Sequence, residues 1–168
     1  MIDIDIGEMI KNALFDMMLS PFLVAVYIII GISMIVQVSF DIYKNKKVKK
    51  RVQEIFEQSA FFAPTEIKNI RATMSDRNGP GVYVLHNPSK DMYYVGQGKK
   101  VMDRVASHFS GRGNGDVYAD YKYGDAFAIK IVSLVNSGYQ TLEKLEREVI
   151  FAYDAYEKGY NRNRGIRK

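Results

Sequence analysis

Residues 79–98 read GPGVYVLHNPSKDMYYVGQG, and this stretch decides the fold. Gly81-Val82-Tyr83-Val84-Leu85-His86 is a β-prone run of branched and aromatic residues. Asn87-Pro88-Ser89-Lys90-Asp91 is a turn cluster. Met92-Tyr93-Tyr94-Val95-Gly96 is a second β-prone run, and it stops at a glycine. Two such runs around a short turn predict a β-hairpin opening a small domain. Upstream, Asp76-Arg77-Asn78-Gly79-Pro80 punctuates the chain and marks the domain boundary.

Downstream of the hairpin, residues 99–110 read as a helix, with Val101, Met102, Val105 and Phe109 on one side. Arg104 and His108 lie one turn apart on a common flank of it. Gly111-Arg112-Gly113-Asn114-Gly115 reads as a flexible loop. Residues 127–134 alternate and predict a third strand. Residues 141–156 predict an amphipathic helix whose apolar stripe is Leu142, Leu145, Val149, Tyr153 and Tyr156.

Glu146 stands out in that last helix. It falls roughly 40° from the centre of the apolar stripe, whereas Glu143 and Glu148 fall about 100° or more away. A carboxylate on an apolar face is costly unless it is paired, hydrogen-bonded or metal-bound. A salt bridge to Arg104 is one way to satisfy it, and a metal ion is another.

Upstream of the boundary, residues 41–78 form a basic juxtamembrane and helical connector. Its apolar positions Val48, Val52, Ile55, Phe56 and Phe62 have helical spacing, Pro64-Thr65 interrupts it, and a shorter helix follows through Ile67, Ile70 and Met74 with Thr65 as its N-cap. The connector reads equally as a spacer and as a dimerising helix that would make the protein a homo-oligomer. Residues 17–40, MMLSPFLVAVYIIIGISMIVQVSF, contain no charge and have the roughly 20 apolar residues a bilayer span requires. The segment is apolar all round, unlike a core helix with a polar face. Its acidic leading flank and the lysines that follow it do not fit a cleaved signal peptide.

Charge sets the expected topology. Residues 1–16 are a short tail in which Asp3, Asp5, Glu8 and Asp16 outweigh Lys11. Lys44, Lys46, Lys47, Lys49, Lys50 and Arg51 form a dense basic flank on the other side. The positive-inside rule places that flank in the cytoplasm and the tail outside, with the chain crossing the cell membrane once. The same cluster suits anionic lipid headgroups. Cysteine is absent, which excludes disulfides and thiolate-held zinc or iron–sulfur sites.

The ordered residues carry a resemblance. Gly81-Val82-Tyr83 followed by Tyr94-Val95-Gly96 resembles the signature of the GIY-YIG nuclease superfamily. Arg104 and His108 match its first helix, and Tyr123-Gly124-Asp125-Ala126-Phe127 is similar to its lead into the third strand. Leu145-Glu146-Arg147-Glu148-Val149-Ile150 is similar to its glutamate-bearing helix, and Gly159-Tyr160-Asn161 matches its closing asparagine. The match covers nearly all of residues 79–165. Val82 and Val95 stand where the family has isoleucine, and Gln97-Gly98 stands where a small hydroxyl residue is frequent.

The resemblance implies an α+β fold: a small domain over residues 79–168 with a central three-stranded antiparallel sheet flanked by helices, preceded here by the transmembrane helix and the connector. It implies a membrane-anchored, metal-dependent endonuclease that cleaves DNA phosphodiester bonds at the cytoplasmic membrane face, with no small-molecule substrate. Tyr83, Tyr94, Arg104, His108, Glu146 and Asn161 are the expected catalytic set. Glu146 is the expected ligand of Mg²⁺, with Mn²⁺ as a substitute. Tyr83 would serve as general base or water-orienting group, and His108 would assist it or bind the phosphate. Lys99, Lys100, Arg112, Arg162, Arg164 and Arg167 are candidates for DNA-backbone contacts. The alternative is a catalytically silent module on the same fold that binds nucleic acid or a protein partner.

Overall fold

The computed structural model describes residues 6–18, 20–73 and 78–165. The chain divides into two compact units, residues 1–46 and 47–168. Asp3, Asp5, Met74, Asp76, Arg77 and Arg167 lie outside the described residues.

The first unit is helical. α1 spans Ile6–Met18, covering most of the stretch read as a tail and the first two residues of the one read as a membrane span. α2 spans Pro21–Glu57, a single helix of 37 residues that runs on into the second unit. Proline suits the first helical position because its missing N–H has no partner there. Ser20 precedes it, and its hydroxyl accepts the Leu23 N–H at 3.3 Å. Among the described residues α2 is the one helix long and apolar enough to cross a membrane, and none of its most apolar stretch is buried within the chain.

The second unit is α+β. α3 spans Ile67–Thr73, β1 Gly81–Asn87, β2 Met92–Gly98, α4 Val101–His108, α5 Gly115–Lys122, β3 Ala128–Ser133 and α6 Leu142–Ala152. The three strands form an antiparallel sheet in the order β2-β1-β3. β1 is central, and its residues 81–85 are all buried, so it reads as an unbroken apolar run. Its alternation still sorts the core. Val82 and Val84 join Val52, Phe56, Leu145, Val149 and Ile150 on one face, under α6 and the end of α2. Tyr83 and Leu85 join Ile67, Val101, Val105, Val117 and Tyr160 on the other.

The connector therefore contributes to the core. Val52 and Phe56 are each 1% exposed, within the unit that begins at residue 47 rather than at residue 79. These two positions, read as a spacer or a dimerising face, are covered by the chain's own sheet and α6. Lys49 pairs with Asp154 at 3.3 Å, and Arg51 donates to the Gly138 carbonyl at 3.0 Å while lying over the Tyr139 ring. Two cations of the basic cluster thus bind the domain. Phe62 exchanges both backbone hydrogen bonds with Ile129 at 2.9 Å, which covers the outer edge of β3.

α5 has no counterpart in the sequence pattern, in which Gly115 belongs to the glycine-rich loop and residues 116–122 carry no element. Asn114 starts it, its side-chain oxygen accepting the N–H groups of Asp116 and Val117. The preceding glycine-rich loop is tied down at both ends. Arg112 N–H donates to Ser107 O at 2.9 Å, and the Asn114 amide donates to Tyr160 O at 3.2 Å.

Candidate functional site

The site grows from the end of β2. β1 places the Tyr83 ring, fully buried, on the α4 face of the sheet. Tyr83 pairs in register with Gly96, where an added Cβ would collide with the Tyr83 hydroxyl. The glycine of the second triplet is therefore the space that the Tyr83 hydroxyl occupies. Tyr94 packs beside it, with ring centroids 6.2 Å apart, and the His108 ring of α4 lies 4.7 Å from Tyr94 and 5.6 Å from Tyr83. Gly98 lets α4 approach, since a Cβ there would sit 3.1 Å from that of Arg104. The Arg104 side chain is exposed, and its positive charge acts on the hydroxyls of Tyr83 and Tyr94.

His108 is fully buried and both ring nitrogens are engaged. Nδ1 accepts the Asn114 N–H at 2.9 Å, and Nε2 lies 2.7 Å from the Tyr83 hydroxyl. An Nδ1 that accepts cannot carry the proton, so in the neutral ring Nε2 carries it and donates to Tyr83. Burial, reinforced by the Arg104 charge, lowers the His108 pKa from 6.5 to about 4. The imidazole is thus neutral at physiological pH and a donor to Tyr83, with both nitrogens engaged within the chain. Gly113 closes the clamp, since a Cβ there would lie 2.5 Å from His108 Nδ1.

A testable consequence follows from the sign of that shift. The folded-state pKa lies below the unfolded value, so the native fold favours the neutral ring. The contribution is fully present above about pH 6.5 and is lost as pH falls towards 4. At about 1.36 kcal/mol per pH unit the loss is on the order of 3 kcal/mol. Urea unfolding across this range is expected to show a shallower decline for His108→Gln than for the native sequence. Parallel profiles would mean that His108 is not held neutral.

The two phenols respond chiefly to burial. It pushes Tyr83 well above the ordinary tyrosine range, with Tyr94 acting in the same direction and Arg104 opposing. Burial raises Tyr94 as well. The Glu146 carboxylate raises both, which places it within electrostatic reach of the phenols although α6 packs on the other face of the sheet. Glu146 is half-buried and accepts a hydrogen bond from Gln97 Nε2 at 2.8 Å. Among the described residues no ion pair joins it to Arg104. Gln97 is a contact the sequence reading missed. The signal available was its place between Gly96 and Gly98, where it is the one side chain beyond Cα.

Asn161 acts on backbone. Its Oδ1 accepts the Val95 N–H and its Nδ2 donates to the Val95 carbonyl, both at 2.8 Å. With Tyr160 N–H donating to Tyr93 O at 2.9 Å, it closes the free edge of β2 and holds the strand that carries Tyr94 and Gly96. The structure thus gathers Tyr83, Tyr94, Arg104, His108 and Glu146 around the rim of β2, with Asn161 behind them. Lys99, Lys100 and Arg112 are exposed on segments flanking α4. Arg162 and Arg164 are instead engaged in surface ion pairs with Asp116 at 3.0 Å and Glu157 at 2.7 Å.

A divalent ion would find one carboxylate here. Among the described residues no group of three or more His, Asp or Glu side chains converges as a metal site. A single half-buried glutamate, oriented by a neutral amide, suits a hard cation that keeps most of its waters and takes phosphate oxygens from a substrate. No family model, curated protein or solved structure matches the chain.

Proposed function

We propose that this chain is a membrane-anchored, divalent-metal-dependent endonuclease of the GIY-YIG type. The observation that supports this best is the cluster itself. One buried and one half-buried phenol, a guanidinium, a neutral imidazole and one carboxylate meet near the glycine-flanked end of β2. Arg104 holds a phosphate through its planar fork. Tyr83, a phenol at neutral pH, accepts the His108 N–H and keeps its own proton. Its hydroxyl orients an attacking water rather than abstracting a proton outright. Mg²⁺ or Mn²⁺ held by Glu146 would supply Lewis-acid neutralisation of charge at phosphorus. Lys99, Lys100 and Arg112 contact the DNA backbone. The uncharged part of α2 crosses the cell membrane, with the lysine-rich flank and the catalytic domain on the cytoplasmic side.

The test uses the full chain in detergent micelles with supercoiled plasmid. Nicking that EDTA stops and excess Mg²⁺ or Mn²⁺ restores is the expected result. A folded, metal-supplied protein that cuts no supercoiled, linear, branched or single-stranded DNA would overturn the nuclease reading in favour of a silent binding module.

A further inference from the structure

Gln97, near the end of β2, reaches across to α6 with a polar side chain. It pairs in register with Val82, which puts it on the α6 face with Val95. Its Nε2 donates to Glu146 Oε2 at 2.8 Å, a contact between residues 49 apart in sequence. Both side chains are half-buried. A glutamate has three rotatable bonds, and a half-exposed one holds no fixed direction unless something binds its carboxylate. A donor on one oxygen fixes the plane of the group and turns its other oxygen to a defined side.

The chemical type of the donor matters. A lysine or arginine at this position would neutralise Glu146 and repel a cation. An amide orients the carboxylate without itself neutralising its charge. Ligand carboxylates in metal sites are commonly held by such outer partners, whose loss typically costs 10–100-fold in metal affinity or activity. The glycines on either side of Gln97 leave no other side chain from this strand end to do it.

We infer that Gln97 is a positioning residue that holds the Glu146 carboxylate in its cation-binding orientation, an inference that rests on the metal-dependent reading above. The test is Mn²⁺ binding to the full chain without DNA, followed by electron paramagnetic resonance, with thermal unfolding measured alongside. Gln97→Met keeps the length and packing of the side chain and removes the donor. Gln97→Ala removes both. Each is expected to weaken Mn²⁺ binding by on the order of 10-fold at an unchanged unfolding temperature. Gln97→Lys, which keeps a donor and adds charge, is expected to weaken it further. Glu146→Gln is expected to eliminate it. Gln97→Met binding Mn²⁺ as tightly as the native sequence, while Glu146→Gln does not bind, overturns the role of Gln97 alone. A native protein that binds no Mn²⁺, or binds it regardless of Glu146→Gln, overturns the metal reading and this role with it.

Discussion

Glu146→Gln will reduce metal-dependent DNA cleavage by roughly 10³-fold or more while the protein stays folded. Lewis-acid stabilisation at phosphorus is worth several kcal/mol, and each 1.36 kcal/mol is a factor of ten in rate, so losing about 4 kcal/mol gives a loss of about three decades. The substitution keeps the size of the side chain and an oxygen able to accept from Gln97, so the packing of α6 against the sheet is retained. Tyr83→Phe tests the opposite side of the site. It removes the hydroxyl 2.7 Å from His108 Nε2 and leaves that N–H without its acceptor in a fully buried ring. It should therefore lower both activity and stability, whereas Glu146→Gln lowers activity alone. Single-turnover nicking rates and urea midpoints, measured on the same preparations, separate the two effects. Cleavage by Glu146→Gln at the native rate would remove phosphodiester chemistry from this site.

Much of this was legible in the sequence, and what was not has a physical cause. The hairpin declared itself through two β-prone runs and a turn, and α6 through its stripe. Glu146 stood out because a carboxylate on that stripe demands a partner. Gln97, which donates to it, did not, because a contact across 49 residues leaves no local period. The helical spacing of Val52 and Phe56 was visible, but periodicity reports that a face is buried and not what buries it. α5 escaped for another reason. It follows a glycine-rich loop and buries one residue, Val117, so it has no apolar stripe, and its clearest mark is the N-cap Asn114. That same loop looked flexible by composition. One of its glycines is there for closeness: Gly113 leaves room for the His108 ring, and the next backbone N–H fixes which nitrogen of that ring carries the proton. No pattern of side chains in the sequence encodes a tautomer set by a main-chain donor.

Phe56→Ala will destabilise the second unit by about 3–5 kcal/mol, the range for emptying a buried aromatic site. Phe56 is 1% exposed and meets Tyr153 edge-on with ring centroids 5.8 Å apart. Its carbonyl, near the end of α2, accepts from Lys130 Nζ at 2.9 Å, which satisfies a helix C-terminus and ties it to β3. Val135→Ala, at a side chain 87% exposed, is the control and should change stability by no more than about 0.5 kcal/mol. The consequence for the boundary is direct. A fragment beginning at Thr65 discards Val52, Phe56 and the Phe62–Ile129 backbone pair together. It exposes the face of the sheet under α6 and leaves the outer edge of β3 open, a combination that invites aggregation. A fragment beginning at Lys47 keeps all three, and the expectation is that it unfolds cooperatively whereas the shorter one does not. Urea unfolding followed by circular dichroism decides it. A loss below about 1 kcal/mol for Phe56→Ala, or a Thr65 fragment as stable as the Lys47 one, would show that the end of α2 is no part of this core and that the folded domain begins at the Gly79 turn after all.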